Sequence, residues 1–218
     1  MPNLSEVEFA VNQEPRCPCI LLLDTSLSMK GVRIDSLNEG LRAFHKSLLE
    51  DDLAQLRVDV TVLTFSGNVT VVQDFVNASN FQPPQLKVSS GGTSMGAGIA
   101  KSVQTIVARK KSYKSEGIDY YRPWIFMITD GEPTDEVNQA SKLIAEGEEN
   151  KSFIFFAVGV EDADMDKLSQ VSVRSPLKLK GTNFRDMFNW LSTSMAAVSQ
   201  SQVGEKVKLP SVDDWAEI

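Results

Sequence analysis

The sequence predicts an α/β fold: a doubly wound, mainly parallel open sheet with one antiparallel edge strand and helices on both faces. Apolar, strand-like runs alternate with amphipathic helix patterns along most of the chain. Three runs, at 20–23, 124–128 and 153–158, are almost continuously apolar, which is typical of central strands covered on both faces. A turn at 66–68 joins two further runs and indicates a hairpin whose second strand is antiparallel at or near the sheet edge.

The strand candidates justify this fold in chain order. They lie at 19–23, 58–65, 69–76, 124–128, 153–158 and 177–179. In the second candidate, Val58, Val60 and Val62 alternate with polar residues, as expected for a strand.

Helical patterns occupy the segments between these strands. The first has apolar residues at three- and four-residue spacing, namely Ile34, Leu37, Leu41, Phe44, Leu48 and Leu49. The second carries Ile99, Val103, Ile106 and Val107 and is expected to end in a solvated basic turn at 109–111. Further helices are predicted at 135–149, 164–171 and 183–198, the last with Phe184, Met187, Phe188, Leu191 and Met195 on its apolar side.

The domain organisation predicted from this pattern is simple. Residues 15–199 form one domain, because no proline- or serine-rich linker interrupts them before Gln200. Residues 1–14 are an N-terminal extension and residues 200–218 are a C-terminal tail. The tail is either an arm packed on the domain or a linear partner motif, and Trp215 favours packing because tryptophan favours burial.

Composition excludes several classes of function. The net charge of −7 and the pI near 4.9 argue against nucleic acid or an anionic membrane as the binding partner. No apolar stretch is long enough to span a bilayer, and residues 1–6 lack the basic and apolar regions of a signal peptide, so we expect a cytoplasmic protein.

The thiol and imidazole content is low. Cys17 and Cys19 are the only cysteines, and the single residue between them would strain an intrachain disulfide, so we expect reduced thiols. His45 is the only histidine, so neither a zinc site nor a serine–histidine or cysteine–histidine catalytic pair is predicted.

Oxygen-bearing side chains follow three junctions of the predicted fold. Asp24, Ser26 and Ser28 come directly after the first strand, at alternate positions that point the same way in an extended loop. Thr93 lies in a glycine-rich segment before the second long helix, and Asp130 follows the strand at 124–128. Each motif alone is common in caps and turns, but ligands of open α/β sheets collect outside the carboxyl ends of the strands. Such oxygen donors suit a hard cation, above all Mg²⁺.

At these positions the chain resembles the von Willebrand factor type A family, which has a Rossmann-like fold and a metal-ion-dependent adhesion site. The family motif is Asp-x-Ser-x-Ser, then a Thr, then an Asp, and no member is missing here. The resemblance covers about residues 15–199. Leu27 stands where many relatives have Gly. The wider setting, with Gly-Gly-Thr-Ser-Met-Gly at 91–96 and Ile-Thr-Asp-Gly-Glu-Pro-Thr-Asp at 128–135, is most similar to the bacterial TerY-like branch.

The resemblance implies a function as well as a fold. It implies a metal-dependent protein–protein interaction module, not an enzyme, in which Mg²⁺, with Mn²⁺ as the alternative ion, binds a Glu or Asp of a partner protein. The implied ligands are Asp24, Ser26, Ser28, Thr93 and Asp130. The TerY-like branch implies a bacterial stress or tellurite-resistance system whose other members include kinase- and phosphatase-like proteins.

The ligand set also suits such a role on chemical grounds. The three hydroxyls are neutral, and water molecules can separate the two carboxylates from the ion. The ion then keeps much of its charge and one open coordination position, which a carboxylate of a partner can fill.

Two other functions fit part of the pattern. A Mg²⁺-dependent phosphatase-like hydrolase would use an aspartyl nucleophile, but it needs an acid two positions later, where Ser26 stands, and a phosphate-binding lysine. A structural module whose metal only stabilises loops is the third possibility.

The remaining acidic groups near these junctions are interpreted structurally. Residues 162–166 begin like a calcium loop, but Lys167 replaces the required Gly and Val173 the closing Glu, so Asp164 is expected to cap a helix. Glu132 and Asp135 are expected to lie at a solvated helix start.

Overall fold

The computed structural model describes Phe9 and residues 11–217 and contains one seven-stranded sheet within that range. Most of the predicted N-terminal extension, and the segment in which a signal peptide was not expected, lie outside the described residues. The strands are β1 (Cys17–Asp24), β2 (Val58–Phe65), β3 (Val69–Asn77), β4 (Trp124–Thr129), β5 (Ile154–Val160), β6 (Leu177–Leu179) and β7 (Ala216–Glu217).

The sheet has the predicted, mainly parallel topology. Its strand order is β3-β2-β1-β4-β5-β6-β7, and β1, β2, β4, β5 and β6 pair in parallel. Strand β3 pairs antiparallel with β2 at one edge, which confirms the predicted hairpin. The two-residue strand β7 adds an antiparallel pair with β6 at the other edge, which the sequence did not predict.

The helices cover both faces of this sheet, as predicted. Their bounds are α1 (Val32–Leu49), α2 (Ala54–Arg57), α3 (Met95–Ser115), α4 (Asn138–Glu149), α5 (Met165–Val171) and α6 (Phe184–Gln200), and short 3₁₀ turns lie at Leu27–Met29 and Ala78–Asn80. Helices α1 and α6 contribute to one hydrophobic cluster, and α3, α4 and α5 contribute to the other. Strand β1 belongs to both, because Leu21 and Leu23 face the first cluster while Ile20 and Leu22 face the second. This double coverage explains why the runs at 20–23, 124–128 and 153–158 are almost continuously apolar.

Three details of the helix predictions were wrong. Helix α4 begins at Asn138, not at residue 135, because the Asp135 side chain accepts hydrogen bonds from the start of α3 instead. Leu49 and Val107, which were placed on apolar faces, are exposed, since each directly follows the buried residue of its turn and is rotated away from the core.

The basic group at 109–111 is not a solvated helix end. Helix α3 continues to Ser115, and Arg109 is 9% exposed. Its Nη2 atom donates a 2.7 Å hydrogen bond to Asp59 Oδ2, and the Tyr113 hydroxyl donates a 2.5 Å hydrogen bond to the same oxygen. Arg16 Nε lies 3.5 Å from Asp59 Oδ1. A buried ionic cluster at the start of β2 therefore holds α3 against the sheet, because a buried carboxylate needs such partners.

The C-terminal tail packs against the domain, which was the expected alternative. Trp215 is 1% exposed and packs against Trp190 of α6, with ring centroids 5.4 Å apart and the ring planes tilted by 54°. The Trp190 indole N–H donates a 3.0 Å hydrogen bond to the Pro210 carbonyl. The tail thus covers the edge that β6 would otherwise expose.

Two further expectations are confirmed. Cys17 and Cys19 are free, buried thiols in β1. The Asp164 side chain caps α5 by accepting a hydrogen bond from the backbone N–H of Lys167. Within the described residues, none of the helices has the length and apolar character needed to cross a bilayer.

Candidate metal centre

The first loop of the site begins where β1 ends. Asp24 is the last residue of β1 and is 0% exposed. Its Oδ1 atom accepts a 2.8 Å hydrogen bond from the Ser26 backbone N–H, which turns the chain sharply out of the strand. A short 3₁₀ turn follows and brings the hydroxyl oxygens of Ser26 and Ser28 within 2.9 Å of each other. One loop therefore presents a carboxylate and two hydroxyls, as the sequence predicts.

The loop after β4 meets this first loop directly. Asp130 follows the last residue of β4, and its side chain is 0% exposed. The Ser28 hydroxyl donates a 2.7 Å hydrogen bond to Asp130 Oδ1. The two loops lie side by side because β1 and β4 are adjacent parallel strands. Four of the five predicted ligands thus form one connected group.

Thr93 completes the predicted set from the other side. A Cβ atom placed on Gly131 would lie 3.2 Å from Thr93 Oγ1 and 3.6 Å from Asp24 Oδ2, so both oxygens lie beside the same point of the chain. The backbone N–H of Thr93 donates a 2.9 Å hydrogen bond to Thr134 Oγ1, and the Thr134 N–H donates a 3.0 Å hydrogen bond to the Thr93 carbonyl. The structure therefore brings together all five residues that the sequence selects.

The glycine-rich segment allows this approach. Gly92 has a φ of +102°, and a Cβ atom at this position would lie 2.7 Å from Thr134 Oγ1. A side chain would therefore both strain the backbone and separate Thr93 from the loop after β4.

Asp135 was expected at a solvated helix start, and that expectation was wrong. Its two carboxylate oxygens accept hydrogen bonds of 3.0 Å and 2.9 Å from the backbone N–H groups of Gly96 and Ala97 in the first turn of α3. A carboxylate at a helix N-terminus is favourable, since it neutralises unpaired donors and the positive end of the helix dipole. Glu132 is exposed, as expected, and forms an ion pair with Lys167, but it does not lie at a helix start, because α4 begins only at Asn138.

Two residues of the site were not found from the sequence. The Thr129 hydroxyl donates a 2.5 Å hydrogen bond to Asp24 Oδ2. Arg33 Nη1 lies 2.5 Å from Asp130 Oδ2. Thr129 had a usable signal, because it is the polar last residue of an otherwise apolar strand. Arg33 had none, since it looks like an ordinary cation in the first turn of an amphipathic helix.

The protonation of Asp24 depends on its surroundings. Burial raises the pKa of this carboxyl, the hydrogen bonds from Ser26 and Thr129 act in the opposite direction, and nearby Asp130 adds to the increase, so the net shift is upward. The protein thus holds the carboxyl groups of Asp24 and Asp130 close together in a buried place. A bound cation would offset the repulsion between their negative charges.

The donor set fits a hard divalent cation. It consists of oxygen atoms alone, from two carboxylates and three hydroxyls, and Mg²⁺ and Mn²⁺ prefer such donors. Across Phe9 and residues 11–217, no group of three or more His, Cys, Asp or Glu side chains is placed to hold a metal ion. A metal centre at the end of β1 would therefore depend on its hydroxyl donors.

Sequence comparison gives the family directly. The model of the von Willebrand factor type A domain matches residues 19–189 of this chain, which include all five candidate ligands. No curated protein matches the sequence.

Solved structures show the same fold at low sequence identity. The pilus adhesin SpaC from Lactobacillus rhamnosus GG has a TM-score of 0.67 at 14% identity, with 86% of this chain and 31% of SpaC covered. Proximal thread matrix protein 1 from the mussel byssus has a TM-score of 0.57 at 16% identity, with 85% of this chain and 49% of that protein covered. The von Willebrand factor domain of the pilus tip protein Mfa5 from Porphyromonas gingivalis has a TM-score of 0.67 at 12% identity, with 89% of this chain and 99% of that domain covered. The chain thus spans less than half the length of the first two proteins.

Proposed function

Because the chain belongs to the von Willebrand factor type A domain family, whose domains mediate protein–protein interactions, we propose that it binds a partner protein through a metal ion. The ion is Mg²⁺, with Mn²⁺ as the alternative, and its ligands are Asp24, Ser26, Ser28, Thr93 and Asp130. Each of them contributes directly or through a water molecule. The partner donates a Glu or Asp carboxylate to the open coordination position.

One observation carries this proposal. The Ser28 hydroxyl, from the loop after β1, donates its proton to Asp130, from the loop after β4. With its proton on Asp130, the Ser28 oxygen accepts from the Ser26 hydroxyl 2.9 Å away and keeps one lone pair that can face an ion. In such a site the carboxylates accept hydrogen bonds from the hydroxyl groups, and the neutral hydroxyl oxygens face the ion. The metal therefore stays electron-poor. An electron-poor hard cation favours an anionic oxygen as its last ligand.

The surroundings of Asp24 favour this role over a phosphatase-like hydrolase. An aspartyl nucleophile needs a carboxylate oxygen that can reach the substrate. Asp24 is 0% exposed, and its two oxygens accept hydrogen bonds from Ser26 and Thr129. We infer that the chain is not an enzyme, in line with the adhesive and matrix proteins that share its fold.

The biological setting of the proposal comes from the TerY-like resemblance alone. From it we infer a cytoplasmic protein of a bacterial stress or tellurite-resistance system. The partners would then be kinase- or phosphatase-like proteins of the same system. Nucleic acid and membranes are not proposed as partners, because the chain carries a net charge of −7.

The proposal is tested by measuring metal binding and partner capture together. Wild-type protein should bind Mg²⁺ in calorimetric titrations and should capture host proteins in Mg²⁺ but not in EDTA. Asp24→Ala and Thr93→Ala should abolish both signals while the protein stays folded. Asp35→Ala is the matched control, because Asp35 is an exposed aspartate in the first turn of α1. Undiminished capture by Asp24→Ala, or equal capture in EDTA, would refute the proposal.

A further inference from the structure

Arg33 connects the candidate metal centre to a third loop of the sheet edge. It lies in the first turn of α1, and its Nη1 atom donates hydrogen bonds of 2.5 Å to Asp130 Oδ2 and 3.1 Å to the Ser28 carbonyl. Its Nε atom donates a 2.7 Å hydrogen bond to Glu161 Oε2, and its Nη2 atom pairs with the same carboxylate. Asp162 Oδ2 lies 3.5 Å from Nη2. One guanidinium thus pairs with carboxylates from the loops after β4 and β5.

The pairing fully engages Asp130. Its Oδ1 atom accepts from the Ser28 hydroxyl and its Oδ2 atom accepts from Arg33. The Asp130 side chain is 0% exposed, whereas the Arg33 side chain is 21% exposed. A fixed positive charge therefore already neutralises the second carboxylate of the site from its solvent side.

The loop on the far side of Arg33 is held in an uncommon conformation. Glu161, the residue after β5, has a φ of +48°, which lies in the left-handed region that side chains other than glycine rarely adopt. Such conformations persist where surrounding contacts fix them, and they cluster at functional sites. The pair between Glu161 and Arg33 is such a contact, so the loop and the site carboxylate share one guanidinium.

We propose that Arg33 is an internal competitor of the metal ion, which holds Asp130 in the metal-free protein and so sets how tightly the site binds Mg²⁺. This inference rests on the proposed function, since it assigns a regulator to the same site. A divalent ion near Asp130 and a guanidinium hydrogen-bonded to it repel each other. Ion binding therefore weakens the Arg33–Asp130 pair and leaves the guanidinium with Glu161 and Asp162.

The competition has a functional consequence. Because repulsion by Arg33 offsets part of the attraction of the two aspartates, the site should bind Mg²⁺ more weakly than its carboxylates alone would allow. A carboxylate brought by a partner would add negative charge beside both cations and so reduce their repulsion. Metal and partner should then bind more tightly together than either does alone.

The test compares three variants by calorimetric titration with Mg²⁺. Arg33→Gln removes the positive charge and the planar guanidinium with its paired N–H donors. We expect this variant to bind Mg²⁺ about tenfold more tightly than wild type. Lys30→Gln is the matched control, because it removes an equal charge from an exposed residue two positions after Ser28 that makes no ion pair with Asp130. Its affinity should change by no more than about threefold, since solvent and salt screen an exposed charge. Arg33→Lys keeps the charge but loses the planar guanidinium, so its affinity for Mg²⁺ should lie between those of wild type and Arg33→Gln.

The outcomes separate this inference from the proposed function. If wild type binds Mg²⁺ but Arg33→Gln binds it equally or more weakly, or gains no more than Lys30→Gln, the competition is refuted and the metal site stands. If neither wild type nor any of the three variants binds Mg²⁺, both proposals fail. A structural role alone would lower the melting temperature of metal-free Arg33→Gln without tightening Mg²⁺ binding. Should Arg33→Gln not fold, Arg33→Lys decides, and an affinity equal to that of wild type would overturn the inference.

Discussion

The Thr129 hydroxyl donates a 2.5 Å hydrogen bond to Asp24 Oδ2, so the last residues of two adjacent parallel strands are joined at the site. This bond fixes the direction of a carboxylate that the proposed ion needs. Residues that orient metal ligands in this way commonly change metal affinity by about 10- to 100-fold when they are removed.

Thr129→Val should therefore weaken Mg²⁺ binding by about tenfold while the β-branched shape keeps β4 intact. Calorimetric titration measures the effect. Thr193→Val, at an exposed position of α6, is the control and should bind Mg²⁺ as wild type does. Equal affinities of the two variants would show that Thr129 does not orient Asp24.

Asp59→Asn should lower the free energy of unfolding by about 3–5 kcal/mol, because it leaves buried arginines without their counter-ion. Asp59 is 0% exposed and pairs with Arg16 and Arg109. Urea unfolding monitored by circular dichroism measures the change. Asp74→Asn, on the exposed side of β3, makes the same chemical change and should have an effect within about 0.5 kcal/mol. A small effect of Asp59→Asn would show that the ionic cluster does not stabilise the sheet.

Gly40→Ala should lower the free energy of unfolding by about 1–3 kcal/mol, although alanine is the better helix former. A Cβ atom at Gly40 would lie 2.5 Å from Phe188 Cδ2, so α1 and α6 would have to separate. Chemical denaturation measures this change. The adjacent exposed substitution Glu39→Ala should be nearly neutral, and Phe188→Leu in the Gly40→Ala background should recover part of the loss. A stabilised Gly40→Ala protein would contradict the close packing of these helices.

Glu148 should make stability depend on pH in acid. Burial raises the pKa of this carboxyl, but hydrogen bonds from Arg174 and the Phe155 N–H, with the charge of Arg122, outweigh it and set the pKa below the ordinary value of 4.5. Because the folded-state pKa is the lower one, the stabilisation is present above pH 4.5 and is lost as the pH falls through the folded-state pKa.

Glu148→Gln should therefore cost about 2 kcal/mol at pH 7, as expected for charged hydrogen bonds, and the difference from wild type should shrink below pH 4.5. Urea unfolding from pH 7 to pH 3 measures it. Glu149→Gln, at the exposed neighbouring position, should follow wild type throughout. A difference that stays constant with pH would indicate a loss of packing and not of charge.

Much of the fold was readable because each element carries a local signal. The apolar runs of β1, β4 and β5 and the three- and four-residue spacing in α1 predicted elements that the structure contains. The helix start at residue 135 was predicted wrongly because an acidic residue caps any nearby helix N-terminus equally well. Local sequence identified the cap of α5 by Asp164, but it could not show that Asp135 caps α3 across the sheet edge.

The candidate ligands were readable for the same reason, since each follows the end of an apolar strand or precedes a helix in a recognisable motif. The structure brings these side chains together, while the binding of Mg²⁺ between them stays a prediction. The residues that modify the site, Thr129 and Arg33, were not selected from the sequence. Each of them acts through a hydrogen bond to a carboxylate that is far away in the sequence. Thr129 and Asp24 are separated by 105 positions, and Arg33 and Asp130 by 97.

Periodicity and motif spacing predicted the fold class, the order of most strands and helices along the chain, and the oxygen donors at the strand ends, because these patterns are properties of neighbouring residues. The pairing of buried charges, in contrast, became visible only in the folded protein. The tertiary structure buried Arg109 against Asp59, which the basic run did not indicate, and it placed Arg33 between Asp130 and Glu161. Burial makes an unpaired charge costly, so the partner of each buried charge is set by the packing of distant segments and not by local sequence.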